Sequence, residues 1–301
     1  MRFASLVTAA VLVAAAPVAT YAQEVTPLVT AEWLKAHAGD ENLVIIDIRD
    51  DIEATDLGEL PYIANAVVAP YGSAGWRTEI EGVPGQIPPT EQIAELIGSL
   101  GVDNDDHVVI VPWGTDSSEF GGATRVYWTF KYLGHDEVSI LDGGWRQYDA
   151  AGLERVATPA TPVAAEFVAE VRPELRATTP DVEAALAEGV KLVDGRPEEQ
   201  FLGQGKSPVV RVPGTIPGAV NIPHSKFYSA EYASFALPET VLALAEGVGL
   251  AADEKNIVFC NTGHWASIAW FALHEVGGNK NTAMYDGSMA EWAADPARPI
   301  Q

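Results

Sequence analysis

Short apolar runs alternate along this chain with stretches whose apolar residues recur at helical spacing. Residues 42–47, 64–70, 108–111 and 138–141 read as buried strands, and residues 31–37, 90–100, 122–133 and 144–151 read as helices. The helix over 90–100 places Ile93, Leu96, Ile97 and Leu100 on one face, with Thr90 as its N-cap and Gly101 as its stop. Strands buried on both faces read as continuous apolar runs, so the pattern predicts an α/β fold built on a mainly parallel sheet flanked by helices.

The order then recurs. Between 157 and 178 the chain is rich in Pro, Ala and Thr, which predicts an extended linker. Beyond it come a strand at 191–194, an apolar run at 219–222, a helix around 239–247, a strand at 257–259 and a helix over 266–275. Leu43-Val44-Ile45-Ile46-Asp47-Ile48-Arg49 matches Val190-Lys191-Leu192-Val193-Asp194-Gly195-Arg196, and Leu141-Asp142-Gly143-Gly144 matches Tyr285-Asp286-Gly287-Ser288. Two copies of one α/β unit are therefore expected, as domains over 23–156 and 179–301. Asp47 and Asp194 end equivalent strands, which points to a shared structural duty such as capping nearby N–H groups.

Composition narrows the setting. The chain has 301 residues, 48% of them hydrophobic, enough for two cored domains. Residues 1–22 read as a secretory signal, with Arg2, an apolar middle and Thr20-Tyr21-Ala22, so a periplasmic protein is expected. No later apolar run is long enough to insert in a membrane. A formal charge of −24 disfavours nucleic acid and anionic membrane surfaces as partners. An anionic substrate would then need a local positive site.

Cys260 is the chain's single cysteine, so disulfides within the chain are excluded. It lies at a strand-to-helix turn, Phe259-Cys260-Asn261-Thr262-Gly263-His264, where backbone N–H groups and the start of the next helix favour a thiolate and a bound anion. The first copy has Pro112 or Trp113 at that place, followed by a turn through Asp116, Ser117, Ser118 and Glu119, and cannot perform thiol chemistry. Candidate cations are Arg196, Lys206, Arg211 and Lys226. His264 could supply a proton to a leaving group or simply line the turn, although a helix N-terminus favours its neutral form. Trp265 could wall the pocket or pack on the first copy. His224, near the same strand ends, reads as a core or rim histidine. No paired Cys/His metal spacing is present.

With these motifs in order, the chain resembles the tandem-domain rhodaneses, the thiosulfate and 3-mercaptopyruvate sulfurtransferases. Asp194-Gly195-Arg196, Thr215-Ile216-Pro217-Gly218-Ala219-Val220-Asn221-Ile222-Pro223, the cysteine turn and Asp286-Gly287-Ser288 carry the likeness in the second half. Ala123-Thr124-Arg125-Val126-Tyr127-Trp128 and the stretch from Gly134 to Gly144 resemble that family's inactive domain. The resemblance implies two tandem rhodanese-like domains and a Cys260 persulfide that carries sulfur from a small anionic donor to a thiol or cyanide-like acceptor. It implies no metal or organic cofactor and a monomer. Arg196 would be the substrate-binding arginine, with a salt bridge to a neighbouring acid at the domain seam as its alternative, and Asn261, Thr262, Gly263, His264, Trp265 and Ala266 would surround the substrate. The residues after Cys260 are neither basic, as in thiosulfate-preferring relatives, nor Gly-Ser-Gly, as in the mercaptopyruvate enzymes, so the donor stays open. A phosphatase or arsenate reductase is disfavoured, because Ala266 stands where Cys-x5-Arg chemistry needs arginine. A sulfur carrier with little turnover is the alternative.

Overall fold

The computed structural model describes residues 25–301, and the export segment read at 1–22 lies outside them. Each half of the chain builds one five-stranded sheet in which all strand pairs are parallel. In the first, β1 (Leu28–Val29), β2 (Leu43–Asp47), β3 (Ala66–Val68), β4 (His107–Val111) and β5 (Val138–Leu141) lie in the order β1-β5-β4-β2-β3. In the second, β6 (Arg176–Ala177), β7 (Lys191–Asp194), β8 (Val220–Asn221), β9 (Asn256–Phe259) and β10 (Thr282–Tyr285) lie in the order β6-β10-β9-β7-β8. The two orders are the same, so the repeat in the sequence is a repeat of topology. Helices α1 (Ala31–His37), α2 (Thr90–Ser99), α3 (Ser117–Tyr132) and α4 (Gly144–Ala150) belong to the first copy. The second has α5 (Thr179–Glu188), α6 (Glu198–Phe201), α7 (Pro238–Gly247), α8 (His264–Trp270) and α9 (Ser288–Trp292), with α8 continuing as a π-helix over Phe271–Val276.

Local chemistry explains where the elements begin. Thr30 caps α1 by accepting the Trp33 N–H at 3.1 Å. At α2 the cap position belongs to Pro89, and Thr90, expected as the cap, is the first helical residue. Helix α3 starts at Ser117 rather than near 122, because the Asp116 carboxylate accepts the N–H groups of Ser118 and Glu119 at 2.8 and 3.1 Å. The stretch expected as a turn is thus the first turn of a helix. The linker is without regular structure from 157 to 172, yet Phe167 is buried against Phe130 and His135.

The two copies share a core. Helices α3 and α8 pack across the junction, where the Thr124 and Ser267 hydroxyls meet at 2.8 Å. A Cβ on Gly121 would stand 2.9 Å from His264 Nε2, so the absence of a side chain there lets α8 close on α3. Each copy also extends a hairpin over the other. Ile87, after the hairpin Thr78–Ile80/Val83–Gln86, donates its N–H to Asp286 Oδ2 at 3.0 Å. Phe235, in the hairpin Tyr228–Ser229/Ser234–Phe235, donates its N–H to Asp142 Oδ1 at 2.8 Å.

Candidate active site

Strand β9 delivers Cys260 beyond the carboxyl end of a central strand, where open α/β sheets place their ligand sites. Its partner position in the first copy is Pro112. The correspondence rests on hydrogen bonds: Cys260 O and Asn261 O accept the N–H groups of Met289 and Ala290, as Pro112 O and Trp113 O accept those of Trp145 and Arg146. Cys260 is 1% exposed and lines a cleft of about 410 Å³ between the copies.

The turn after the cysteine is held from outside. Ser288 Oγ accepts the N–H groups of Cys260 and Gly263, each at 3.1 Å, and donates to Tyr285 O at 2.8 Å. Ser288 does this at φ 50°, in the left-handed region that β-carbon sterics disfavour. The N–H groups of Asn261, Thr262, His264, Trp265 and Ala266 find no acceptor in the protein among the described residues. They are the donors such a turn offers to an anion.

Of the residues singled out in the sequence, Cys260, Asn261, Thr262, His264 and Trp265 line the cleft, while Gly263 and Ala266 lie buried behind it. Arg196 does not reach it. Its guanidinium is fully buried and folds back onto Asp194, with Nη2–Oδ2 at 2.6 Å and Nε–Oδ1 at 3.0 Å, and Nη2 also donates to Gly214 O at 2.8 Å. The expectation of a substrate-binding Arg196 is corrected by this geometry: the Asp-x-Arg turn points its arginine at its own aspartate. Arg49 and Asp47 form the same pair in the first copy, at 2.6 Å. The carboxylates also accept the N–H groups of Arg196 and Arg49, the structural duty expected of both aspartates. Lys206 and Arg211 are tied to Val210 O and Ala293 O, and neither they nor Lys226 line the cleft.

His264 bridges the copies. Its Nε2 donates to Ser118 O at 2.7 Å, and its Nδ1 accepts the Tyr71 hydroxyl at 2.9 Å, a tautomer set by the carbonyl, which can only accept. Burial pushes the imidazole down to about 3 and the Tyr71 phenol up to about 12, so both are neutral. With both nitrogens engaged, His264 has no proton to give a leaving group. Trp265 combines both expectations: it lines the cleft, donates Nε1 to Ser118 Oγ at 2.8 Å and stacks on His224 at 4.5 Å.

Three residues escaped the sequence reading. Ser288 stood in a motif with no role assigned. Asp286 binds Arg125 across the junction at 2.5 Å and Arg176 of its own copy at 3.3 Å. Arg77, from the first copy, is the one cationic side chain among the described residues that lines the Cys260 cleft. No local signal marks these contacts, since Ser288 meets the cysteine turn from 25 to 28 residues away and the partners of Asp286 and Arg77 lie more than a hundred residues off.

The description "Rhodanese-like domain" matches the chain twice, over residues 30–151 and 178–295. A protein of Haloferax volcanii named "Putative thiosulfate sulfurtransferase" is 31% identical over 93% of this chain and 97% of its own length. A crystal structure of SseA from Escherichia coli, described as a 3-mercaptopyruvate sulfotransferase, superposes with a TM-score of 0.72 at 26% identity, covering 87% of this chain and 98% of that one. The anaerobic ergothioneine biosynthesis enzyme from Chlorobium limicola, solved with trimethyl histidine, shares the fold at a TM-score of 0.77 and 20% identity, covering 91% of this chain and 70% of that one. The chain belongs to the rhodanese family of sulfurtransferases, as a member with two rhodanese-like domains.

Proposed function

We propose that this sulfurtransferase moves a sulfane sulfur from a small anionic donor to a thiophilic acceptor through a persulfide on Cys260. The observation that carries the reading is the lone thiol in a cleft whose turn holds five N–H groups without a protein acceptor among the described residues. With thiosulfate as donor, the Cys260 thiolate attacks the outer sulfur, the S–S bond of thiosulfate breaks, and sulfite leaves with the electron pair. Charge is conserved, and the persulfide keeps one negative charge. A thiolate or cyanide then attacks the outer persulfide sulfur and restores the Cys260 thiolate, giving thiocyanate in the case of cyanide. The turn donors stabilise the thiolate, the persulfide and the leaving anion in succession. Asn261, Thr262 and Trp265 shape the pocket, and Gly263 and Ala266 keep the turn in place.

Incubation with thiosulfate or 3-mercaptopyruvate, followed by intact-mass spectrometry, tests this. Wild type should gain one sulfur atom, and Cys260→Ser should gain none; equal gain in both would end the reading. The 1% exposure of Cys260 favours a protected persulfide, and with it a second reading as a sulfur carrier. Stoichiometric persulfide with little thiocyanate on adding cyanide would select the carrier. We also propose an inactive domain over 23–156, a linker over 157–178 and a catalytic domain over 179–301, exported by residues 1–22. A mature N-terminus near Gln23, read by mass on protein from the periplasmic fraction, tests export.

A further inference from the structure

Every cation first considered for the anionic donor is elsewhere: Arg196 is locked on Asp194, and Lys206, Arg211 and Lys226 are outside the cleft. Among the described residues, the one cationic side chain lining the Cys260 cleft is Arg77 of the first copy. It stands at the foot of the hairpin Thr78–Ile80/Val83–Gln86, next to Trp76, which is fully buried with Nε1 bonded to Ala69 O at 3.1 Å. Its guanidinium lies over the Tyr71 ring at 4.6 Å, so it rests on the phenol that also holds His264.

Two features separate Arg77 from an ordinary surface arginine. The protein carries 42 acidic residues against 18 basic ones, yet among the described residues Arg77 has no carboxylate within ion-pair distance. Its Nε is buried with no hydrogen-bond partner; the neighbouring Arg125 also leaves Nε and Nη1 without one, but its charge is balanced by Asp286 and that of Arg77 is not. A buried guanidinium donor without an acceptor is costly unless a ligand supplies one. The hairpin is also pinned against the cysteine turn. A Cβ on Gly85 would meet Thr262 at 3.1 Å and Arg77 Nη1 at 3.4 Å, and Gly85 O accepts from Arg125 at 3.3 Å.

We propose that Arg77 is the donor-binding residue of the site: the first copy supplies, across the junction, the positive charge that receives the anionic group of the sulfur donor while Cys260 takes its outer sulfur. This rests on the reading of Cys260 as the sulfur-accepting thiolate and names the residue that selects a small anion, sulfonate-like or carboxylate, over a neutral donor. It also gives the copy without a cysteine a direct part in substrate recognition. The planar fork of arginine suits either oxyanion.

The test uses the full-length protein and two pairs of probes. Alkylation of Cys260 by anionic iodoacetate is compared with alkylation by neutral iodoacetamide, and thiosulfate-dependent gain of sulfur is titrated by intact mass. Arg77→Gln should lower the iodoacetate-to-iodoacetamide rate ratio about tenfold and raise the half-saturating thiosulfate concentration by a similar factor, with the iodoacetamide rate nearly constant. Arg77→Lys should recover part of both. If wild type loads from thiosulfate and Arg77→Gln keeps the wild-type ratio and half-saturation, the inference is wrong while sulfur transfer stands. An equal fall with both alkylating agents also overturns it, since the charge would then be acting on the thiolate. If no variant loads from thiosulfate but the ratio falls, Arg77 binds anions as inferred and the sulfur-transfer reading fails.

Discussion

Strands β4 and β9 end in turns with the same backbone bonding and opposite contents. At β9 the turn carries a thiol and N–H groups with no protein acceptor among the described residues. At β4 the N–H groups of Trp113 and Gly114 donate to the Glu119 carboxylate at 2.6 and 2.7 Å. One cradle is left for a ligand, and the other is filled by an acid of the same chain. The residue behind each turn differs in the same sense. Gly144 takes φ 55° in the first copy, where glycine adopts it freely, and Ser288 takes φ 50° in the second and uses its hydroxyl to hold the cysteine turn. At this position strain is kept in the second copy, where a hydroxyl is needed, and relieved by glycine in the first.

The two copies also differ in how they lock together. Asp142 and Asp286 each receive an N–H from the opposite copy, but Asp286 alone also binds a guanidinium of that copy, Arg125, besides Arg176 of its own. Asp286→Ala should therefore have the largest effect. It leaves the fully buried Arg125 without its counter-charge, a loss of about 3–5 kcal/mol. Asp142→Ala removes the carboxylate acceptor of the Phe235 N–H and should cost about 1–3 kcal/mol. Urea unfolding of the two variants measures the gap, and equal losses would show that the ion pair adds nothing to the lock.

How much of this was legible depends on the range of the interaction. Helix α1 and strand β7 follow their local signals residue for residue, because a cap and an apolar run act within a few positions. The repeat and Cys260 were legible for the same reason. Helix α3 was placed too late because Ser117, Ser118 and Glu119 carry no apolar spacing, and only the Asp116 cap marks the start. Strand β10 is a mixed run, Thr-Ala-Met-Tyr, buried by its neighbours rather than announced by its own pattern. At the site, the charge of Arg196 is visible in the sequence and suits either a donor or an ion pair, and only the fold shows that Asp194, two residues before it, takes it. Arg77 was passed over because it joins Cys260 only when the copies dock.

Next in size is the filled cradle. Burial pushes the Glu119 carboxyl up to about 7 from its usual 4.5, against the N–H groups of Trp113 and Gly114, which favour ionisation. The folded state thus holds a proton on Glu119 that the unfolded chain has lost. Its contribution to stability is full below pH 4.5 and falls as pH rises toward 7, by an amount on the order of 2–3 kcal/mol. His264 and His224 work in the opposite direction, since burial pushes them down to about 3 and about 4 and the unfolded chain takes up protons first as pH falls. The reading is therefore the difference between wild type and Glu119→Gln, measured by urea unfolding at several pH values. That difference should change across pH 4.5–7 in favour of the variant at the higher pH, and a constant offset would refute the protonated acid.

The smallest change in stability should come from Ser288→Gly, which gives the second turn the residue of the first. Glycine relieves the left-handed backbone but leaves the N–H groups of Cys260 and Gly263 without their acceptor. These effects oppose each other, so net stability should move by only about 1 kcal/mol. Reactivity should respond more, because the freed N–H groups no longer fix where the turn presents its donors. The rate of Cys260 alkylation by iodoacetamide should fall several-fold relative to wild type, and Ser288→Ala should lower it too, while keeping the strain and losing stability. If Ser288→Gly alkylates at the wild-type rate, the hydroxyl behind the turn is a packing feature and the two strand ends differ only in the presence of the thiol. If it slows as expected, the second copy owes its chemistry to a cysteine and to the serine that holds its turn, and restoring a cysteine at Pro112 alone would not make the first copy active.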